Sequence, residues 1–370
     1  MMIEKGKISA MQMGIMMYPT ITATAILLVP AITARYAKQD MWLSPFWASL
    51  IGFLTVYIAV QLHHLYPQKT LIEYSEDILG KFLGKAIGFI FLFFYLHANG
   101  IIIREYGEFV VGNFLSHTPL VVVMGSMILV CSFAVRSGVE VIGRLAEVIV
   151  PVVIILILTN IILLIPDMKV ENMFPIMEKG IMPSLMGAII PQGWFTEFLL
   201  IAFLLPYVDD RNKGKKWGMI SVTAVMLTLS LINIAVLFVL GGITSRFLYP
   251  AFSAVRYVSI ADFLEHIEAI VMALWVAGVF VKIAVFYYAL VLGTAQWLNL
   301  SDYRPITFPI GFLLLLFAVW SAPNLIELTH FLGSSSPFYR ISIQTGIPLI
   351  LLFIAKWRRK TNNQKLTQQG

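Results

Sequence analysis

The chain has 370 residues, of which 59% are hydrophobic and only 12% charged, and its mean hydropathy is +0.85. That composition excludes an ordinary water-soluble surface and points to a polytopic helical membrane protein. The lone cysteine, Cys131, excludes an intrachain disulfide and a cysteine metal cluster. The six histidines show no ligand spacing, and no phosphate-binding glycine loop or basic-aromatic pattern accompanies the net charge of +6.

Met1 to Lys7 is short and charged and leads straight into a full-length span without a small-residue cleavage pattern, so no cleaved leader is expected. Ten hydrophobic spans are expected near 9–36, 44–65, 86–112, 119–135, 142–165, 182–206, 217–240, 268–298, 303–321 and 338–357. The first carries Tyr18-Pro-Thr-Ile-Thr-Ala-Thr24 at its middle. Proline removes a backbone donor, and little bulk surrounds it, so an unwound segment is expected there. Between the second and third spans, Thr70-Leu-Ile-Glu73 reads as a capping box. It starts a short amphipathic helix expected to lie on the inner membrane surface with Leu71, Ile72, Ser75, Ile78, Leu79 and Phe82 on one face.

The third span holds Tyr95, Asn99, Arg104, Glu105 and Glu108. Arg104 and Glu108 are spaced to pair at i,i+4, which leaves Glu105 to point elsewhere, toward a central cavity. The loop Glu171-Asn-Met-Phe-Pro-Ile-Met-Glu178 is polar enough for an exposed cap. The sixth span contains Ala188-Ile-Ile-Pro-Gln-Gly-Trp-Phe-Thr-Glu-Phe198, a second break with a carboxylate, Glu197, inside it. Residues 241–268 are expected to fold as one or two short helices, with a capping pattern at Ser259-Ile-Ala-Asp262. The eighth span carries Lys282. Residues 1–360 then form one transmembrane domain, and residues 361–370 a polar, disordered tail.

Ten spans with breaks in the first and sixth divide into five plus five, the pattern of an inverted-repeat transporter fold with its site at mid-membrane. Lysine and arginine concentrate in alternate connections, from Lys5 and Lys7 through Arg211 to Lys216 and on to the run after Lys356. The opposite connections hold fewer, Arg35, Lys38 and Arg340 among them. Both termini are therefore expected in the cytoplasm. Trp194 and Trp275 lie away from the span ends and are candidates for an interior role. Glu197 and Lys282 both fall near half depth, where an unpaired charge is costly, so the two are expected to pair. Free N–H groups where a broken helix restarts suit a carboxylate, and unwound carbonyls suit an ammonium. Together they make an amino-acid site plausible, with Ala23 and Ala25 leaving room and Trp194, Phe195 and Phe280 as an apolar wall. No nucleophile–base pair or metal motif lies within the spans, so no enzyme activity and no cofactor are expected. An amino-acid permease, proton-linked through Glu197 or Lys282, is the alternative function.

The stretches Pro250-Ala-Phe-Ser-Ala-Val-Arg-Tyr-Val-Ser-Ile-Ala-Asp-Phe-Leu-Glu265, Trp275-Val-Ala-Gly-Val-Phe-Val-Lys-Ile-Ala-Val-Phe-Tyr-Tyr288 and Glu171-Asn-Met-Phe-Pro-Ile resemble the spore germination receptor B-subunit family, within the amino acid–polyamine–organocation superfamily. The resemblance implies a nutrient germinant receptor subunit of the spore inner membrane that works with A and C subunits. It places a ligand pocket among Thr22, Ala23, Thr24, Ala25, Tyr95, Asn99, Gln192, Gly193, Trp194, Phe195 and Phe280, with Lys282 beside them; the break expected in the first span adds Thr20, and Glu105, Glu197 and Lys282 are expected as a buried charge network. Relatives tend to have glycines where this chain reads Thr22-Ala-Thr-Ala25, so a tighter pocket is expected. Gly278 to Ile283 lacks the hydroxyls that sodium-coupled members of the superfamily place in this span, and Lys282 could put its ammonium in the ion's place.

Overall fold

A computed structural model describes residues 3–256 and 267–368. The expected motif at Ser259 to Asp262, and most of the resemblance stretch that contains it, lie outside those residues. Sixteen helices follow in order: α1 (Ala10–Ala37), α2 (Ser44–Leu65), α3 (Leu71–Leu79), α4 (Lys81–Asn113), α5 (Leu120–Ser137), α6 (Val139–Leu164), α7 (Met182–Ala188), α8 (Gln192–Phe195), α9 (Ile201–Leu204), α10 (Gly214–Leu240), α11 (Pro250–Val255), α12 (Ile267–Trp297), α13 (Thr307–Trp320), α14 (Leu325–Gly333), α15 (Ser336–Ile341) and α16 (Ile347–Gln368). Seven uninterrupted helical stretches are long and apolar enough to cross a membrane, and two bent pairs, α7 with α8–α9 and α13 with α14, qualify together. The longest stretch, Ala10–Leu65, is two helices joined by a 3₁₀ turn at Lys38–Leu43. Gly14 at the start of α1 packs on Trp217, and Val56, late in α2, packs on Gly218, so the two run in opposite directions. With that stretch divided and each bent pair counted once, the described residues make ten spans.

Packing reflects two related halves. The first span, α1, rests on α10, and the sixth, α7–α9, rests on α2. The third span of each half, α4 and α12, lie against each other. The protein is thus an all-α integral membrane protein with a transporter-type arrangement, and α12 runs through its middle with residues 281–292 nearly all buried.

The first span departs from the expected break. α1 is one helix from Ala10 to Ala37 with Pro19 and Pro30 inside it. Each proline removes only one i→i−4 bond, which transmembrane helices tolerate when neighbours satisfy the freed groups. The threonines do the opposite of unwinding it. Thr20 Oγ1 donates to the Met16 carbonyl at 2.7 Å and Thr22 Oγ1 to the Tyr18 carbonyl at 2.8 Å, so their hydroxyls are spent on the helix's own backbone. The sixth span does break. Its two parts are bent by 50°, Gly193 and Trp194 make short turn bonds to Ile190 and Pro191, and residues 196–200 continue as a 3₁₀ helix.

The capping box at Thr70 and Glu73 forms as expected. Yet α3 turns its apolar face onto protein, against α4, α12 and α16, and Phe82 belongs to α4 and is exposed. Residues 361–368, expected as a tail, continue α16 as helix.

The face that carries the N-terminus is clasped shut. Ile8 pairs with Tyr207 and Asp209 through its backbone, and Asp210 accepts from the Ala10 N–H at 2.6 Å. That bond holds the Asp210 carboxyl below the usual carboxylate range. Glu4 is buried beside them and accepts from Gly6 N–H, from Tyr303 Oη at 2.7 Å and from Val139 N–H at the start of α6, where a helix N-terminus favours an anion.

Candidate ligand site at the bend of the sixth span

Local backbone geometry decides which side chains of the sixth span face inward. Residues 193, 194 and 197 turn toward α1, α12 and α15, whereas Gln192 and Phe195 turn toward α2. Phe195 sits against Gly52, and Gln192 lines a groove with Trp47, Leu50, Ile51 and Leu54 of α2. Those two therefore leave the expected pocket, because they fall on the opposite side of the same turn from Trp194.

The inward residues converge on Thr24. Trp194 Nε1 donates to Thr24 Oγ1 at 2.9 Å, and Lys282 Nζ donates to the same oxygen at 3.0 Å. Lys282 Nζ also lies 2.7 Å from Glu197 Oε2, so the expected pair forms. The other carboxylate oxygen, Oε1, lies 2.6 Å from a guanidinium nitrogen of Arg340. All three ionised groups are buried, Lys282 completely, and each charge is matched by a hydrogen bond as burial requires.

Arg340 overturns its sequence assignment to an outer connection. α13 and α14 meet at 94°, so the chain folds back on itself before the tenth span begins. α15 then packs on α8, Gly193 lies against Pro337 and Arg340, and the Arg340 guanidinium sits over the Trp194 ring at 5.4 Å. A turn of π-helix follows at Ser342–Gly346, a distortion found often at functional positions. It places Gln344 to donate to Thr196 Oγ1 at 3.0 Å and Thr345 to meet Thr55 at 2.9 Å. Arg340 lies just inside the expected 338–357 span, and that position was the available signal.

The remaining expected residues sort by helix face. Residues 275, 278 and 282 recur at helical spacing. Trp275 donates its indole N–H to the Ala23 carbonyl, and Gly278 approaches Ala23. Phe280 falls off that face by the same spacing, so its ring does not join Trp194 in one wall; its backbone carbonyl accepts from Cys131 Sγ. Thr20 and Thr22 are turned onto their own helix as described, and Ala25 is buried. On α4, Arg104 pairs with Glu108 at 2.8 Å, as expected from their spacing, and reaches toward the carbonyls of Val319 and Pro323.

Three polar groups of α4 remain unspent. Glu105 Oε1, Asn99 Oδ1 and Tyr95 Oη are buried without a partner among the described residues. Asn99 makes one long contact, Nδ2 to the Ile283 carbonyl at 3.5 Å. Tyr95 packs edge-on to Phe203 and Phe286, and Phe286 in turn lies under Lys282 Nζ at 5.6 Å. Two cations and one carboxylate are thus locked together, while the Glu105 carboxyl makes no bond to them.

This arrangement defines a polytopic protein of transporter architecture whose core is a buried charge cluster at a helix bend. The architecture is similar to a solved sodium-coupled sialic acid symporter in its substrate-bound, outward-open state, with a TM-score of 0.65 over 92% of this chain and 79% of that one. Identity is only 12%, so the likeness speaks to fold alone. The chain belongs to the family described as spore germination protein, whose sequence model matches residues 7–326. Among its relatives, spore germination protein KB of Bacillus subtilis (strain 168) is 26% identical over 100% of both chains. Spore germination protein YndE of the same organism is 26% identical over 96% of this chain and 98% of its own. Spore germination protein A2, also of that organism, is 21% identical over 92% and 93%.

Proposed function

We propose that this permease-like spore germination protein is a germinant receptor subunit that binds a free amino acid beside Thr24, Trp194 and Lys282. On binding, it changes the arrangement of the bent sixth span for its partner subunits. The observation that carries this reading is the imbalance of the cluster, with Lys282 and Arg340 both drawing on the single carboxylate of Glu197. A ligand carboxylate can take over part of Glu197's role toward the two cations. The unspent acceptors Glu105 Oε1 and Asn99 Oδ1 suit an ammonium. Recognition then rests on side chains, since α1 is continuous and offers no unwound backbone.

In the present arrangement Thr24, Trp194, Glu197 and Lys282 are packed against one another, each at most 2% exposed. A ligand therefore enters only if the side chains around Thr24 move apart. A ligand shifts an equilibrium by its differential affinity for the two arrangements, and opening exposes cations that the closed form keeps matched. The A and C subunits of the receptor are the proposed readers of that movement. The spore inner membrane, with both termini cytoplasmic, is the proposed setting.

Calorimetric titration of the purified full-length chain with the common amino acids tests the reading. At least one should saturate, and Lys282→Met should abolish that binding while the chain remains folded. Failure of every amino acid to saturate, or undiminished binding by Lys282→Met, rejects it. Uptake into vesicles separates the receptor from a permease, the alternative reading. Robust accumulation of labelled amino acid by this chain alone would support the permease. Affinity should be equal in sodium and choline chloride, because the Lys282 ammonium already sits between Thr24 Oγ1 and Glu197. An affinity that rises with sodium would contradict that assignment.

A further inference from the structure

A groove of about 280 Å³ runs between α2 and the sixth span on the outside of the bundle. Trp47, Leu50, Ile51 and Leu54 form one wall at the spacing of a single helix face, and Leu185, Ala188 and Gln192 form the other. Leu50 is 59% exposed, so this face looks outward rather than into the core. None of the lining residues is charged, and Gln192 alone carries an amide. That amide makes no hydrogen bond among the described residues, and Gln192 is half-buried. In contrast to Asn99 Oδ1, neither of its amide atoms is walled in.

Depth decides what can meet it. Leu50 to Leu54 lie about 9–15 Å along α2 from Ser44 at 1.5 Å per residue, well inside a hydrocarbon layer about 30 Å thick. An acyl chain offers the amide neither donor nor acceptor, and an unmatched amide in an apolar medium is costly. Membrane helices satisfy such side chains in one another, with glutamine among those that bond across a helix pair. The turn Gln192–Phe195 also links the groove to the interior. It carries Trp194 inward to Thr24 Oγ1 at 2.9 Å and Gln192 outward, so a group bonded to Gln192 holds the turn that forms the ligand site.

We infer, on the reading of this chain as a receptor subunit, that the groove seats a membrane-spanning helix of another subunit, one that presents a serine, threonine, asparagine or glutamine side chain to the Gln192 amide. The two walls provide the apolar contact, and Gln192 fixes the depth at which the helix sits. A displacement of Trp194 then reaches that helix through a single turn of backbone.

Photo-crosslinking of the full chain, co-expressed with the proposed A and C subunits and carrying benzoylphenylalanine in place of Leu50 or Leu54, tests this. Irradiation in the membrane should join the chain to a partner subunit. Mass spectrometry should place the adduct in a membrane-spanning stretch with one of those four polar residues within a turn of it. Gln192→Leu should weaken the association in bilayers about three- to tenfold, the effect of one hydrogen bond between membrane helices, while the chain's own unfolding temperature does not fall. Adducts to phospholipid alone or to a second copy of this chain, or an association unchanged by Gln192→Leu, overturn the inference. Recovery of no partner subunit at all removes the receptor reading and the docked helix together, whereas a recovered partner with lipid-only adducts removes the docked helix alone.

Discussion

Glu197→Leu is expected to destabilise the chain by about 3–5 kcal/mol, the range for breaking a buried ion pair by removing one partner. The effect should exceed that of either cation's removal, because Glu197 answers two charges at once. Without it, Lys282 and Arg340 lie buried with no carboxylate bonded to them. Arg340→Leu instead leaves Glu197 and Lys282 at 2.7 Å, and Lys282→Met leaves Glu197 and Arg340 at 2.6 Å, so each retains one matched pair. Replacing all three groups by apolar residues should recover much of the loss, since a buried ion cluster exchanged for hydrophobic residues of similar volume is often near neutral. Unfolding temperatures in one detergent give the ordering directly. If Glu197→Leu unfolds no earlier than Arg340→Leu, the carboxylate does not hold both cations, and the closed cluster loses its electrostatic basis. The triple variant should be stable yet unable to bind an amino acid, which separates holding the fold from recognising a ligand.

The ten spans were legible because apolar runs of membrane length, bounded by charge and tryptophan, carry a strong signal. The Glu197–Lys282 pair was legible for a related reason, since two charges at similar depth must find partners. The first span misled because proline and threonine are ambiguous inside a membrane. The same hydroxyls that could line an unwound segment can return to carbonyls of their own helix, as Thr20 and Thr22 do, and hydropathy does not separate the two. Gln192 and Phe195 were assigned with their neighbours by proximity in sequence. In a helical turn, however, adjacent residues face different ways, and their direction depends on how the bend at residues 189–191 is oriented. Arg340 was hidden by topology. A cation beside a polar connection reads as a surface charge until the 94° turn between α13 and α14 shows the chain folding back. Whether the acceptors on α4 are spent depends on which donors the neighbouring helices turn toward them, and that is not carried by α4's own sequence.

Gly193→Val tests whether the tenth span belongs to the site at all. A β-carbon on Gly193 would lie 3.1 Å from the Pro337 Cα and 3.4 Å from Arg340 Cδ. The arginine stem can shift, but the Pro337 backbone moves only if α15 moves with it. Alanine is therefore expected to be borderline, while the two γ-carbons of valine force α8 and α15 apart and pull the guanidinium off Glu197 Oε1. Overpacking of this kind costs about 1–3 kcal/mol, and the same displacement should weaken amino-acid binding at least about tenfold, the equivalent of 1.4 kcal/mol. Gly242→Ala is the matched control. Its added carbon meets nothing within 4 Å, and a surface change away from such features stays within about 0.5 kcal/mol. Native binding and stability in Gly193→Val would mean that α8 and α15 are not in contact, which would remove Arg340 from the cluster. Loss of binding with the fold retained would instead show that recognition depends on the contact between the bent sixth span and the start of the tenth, which holds Arg340 on Glu197. The bend at Pro191 and the fold-back before Ser336 then serve one purpose, to bring Glu197 and Arg340 together from spans that straight helices would keep apart.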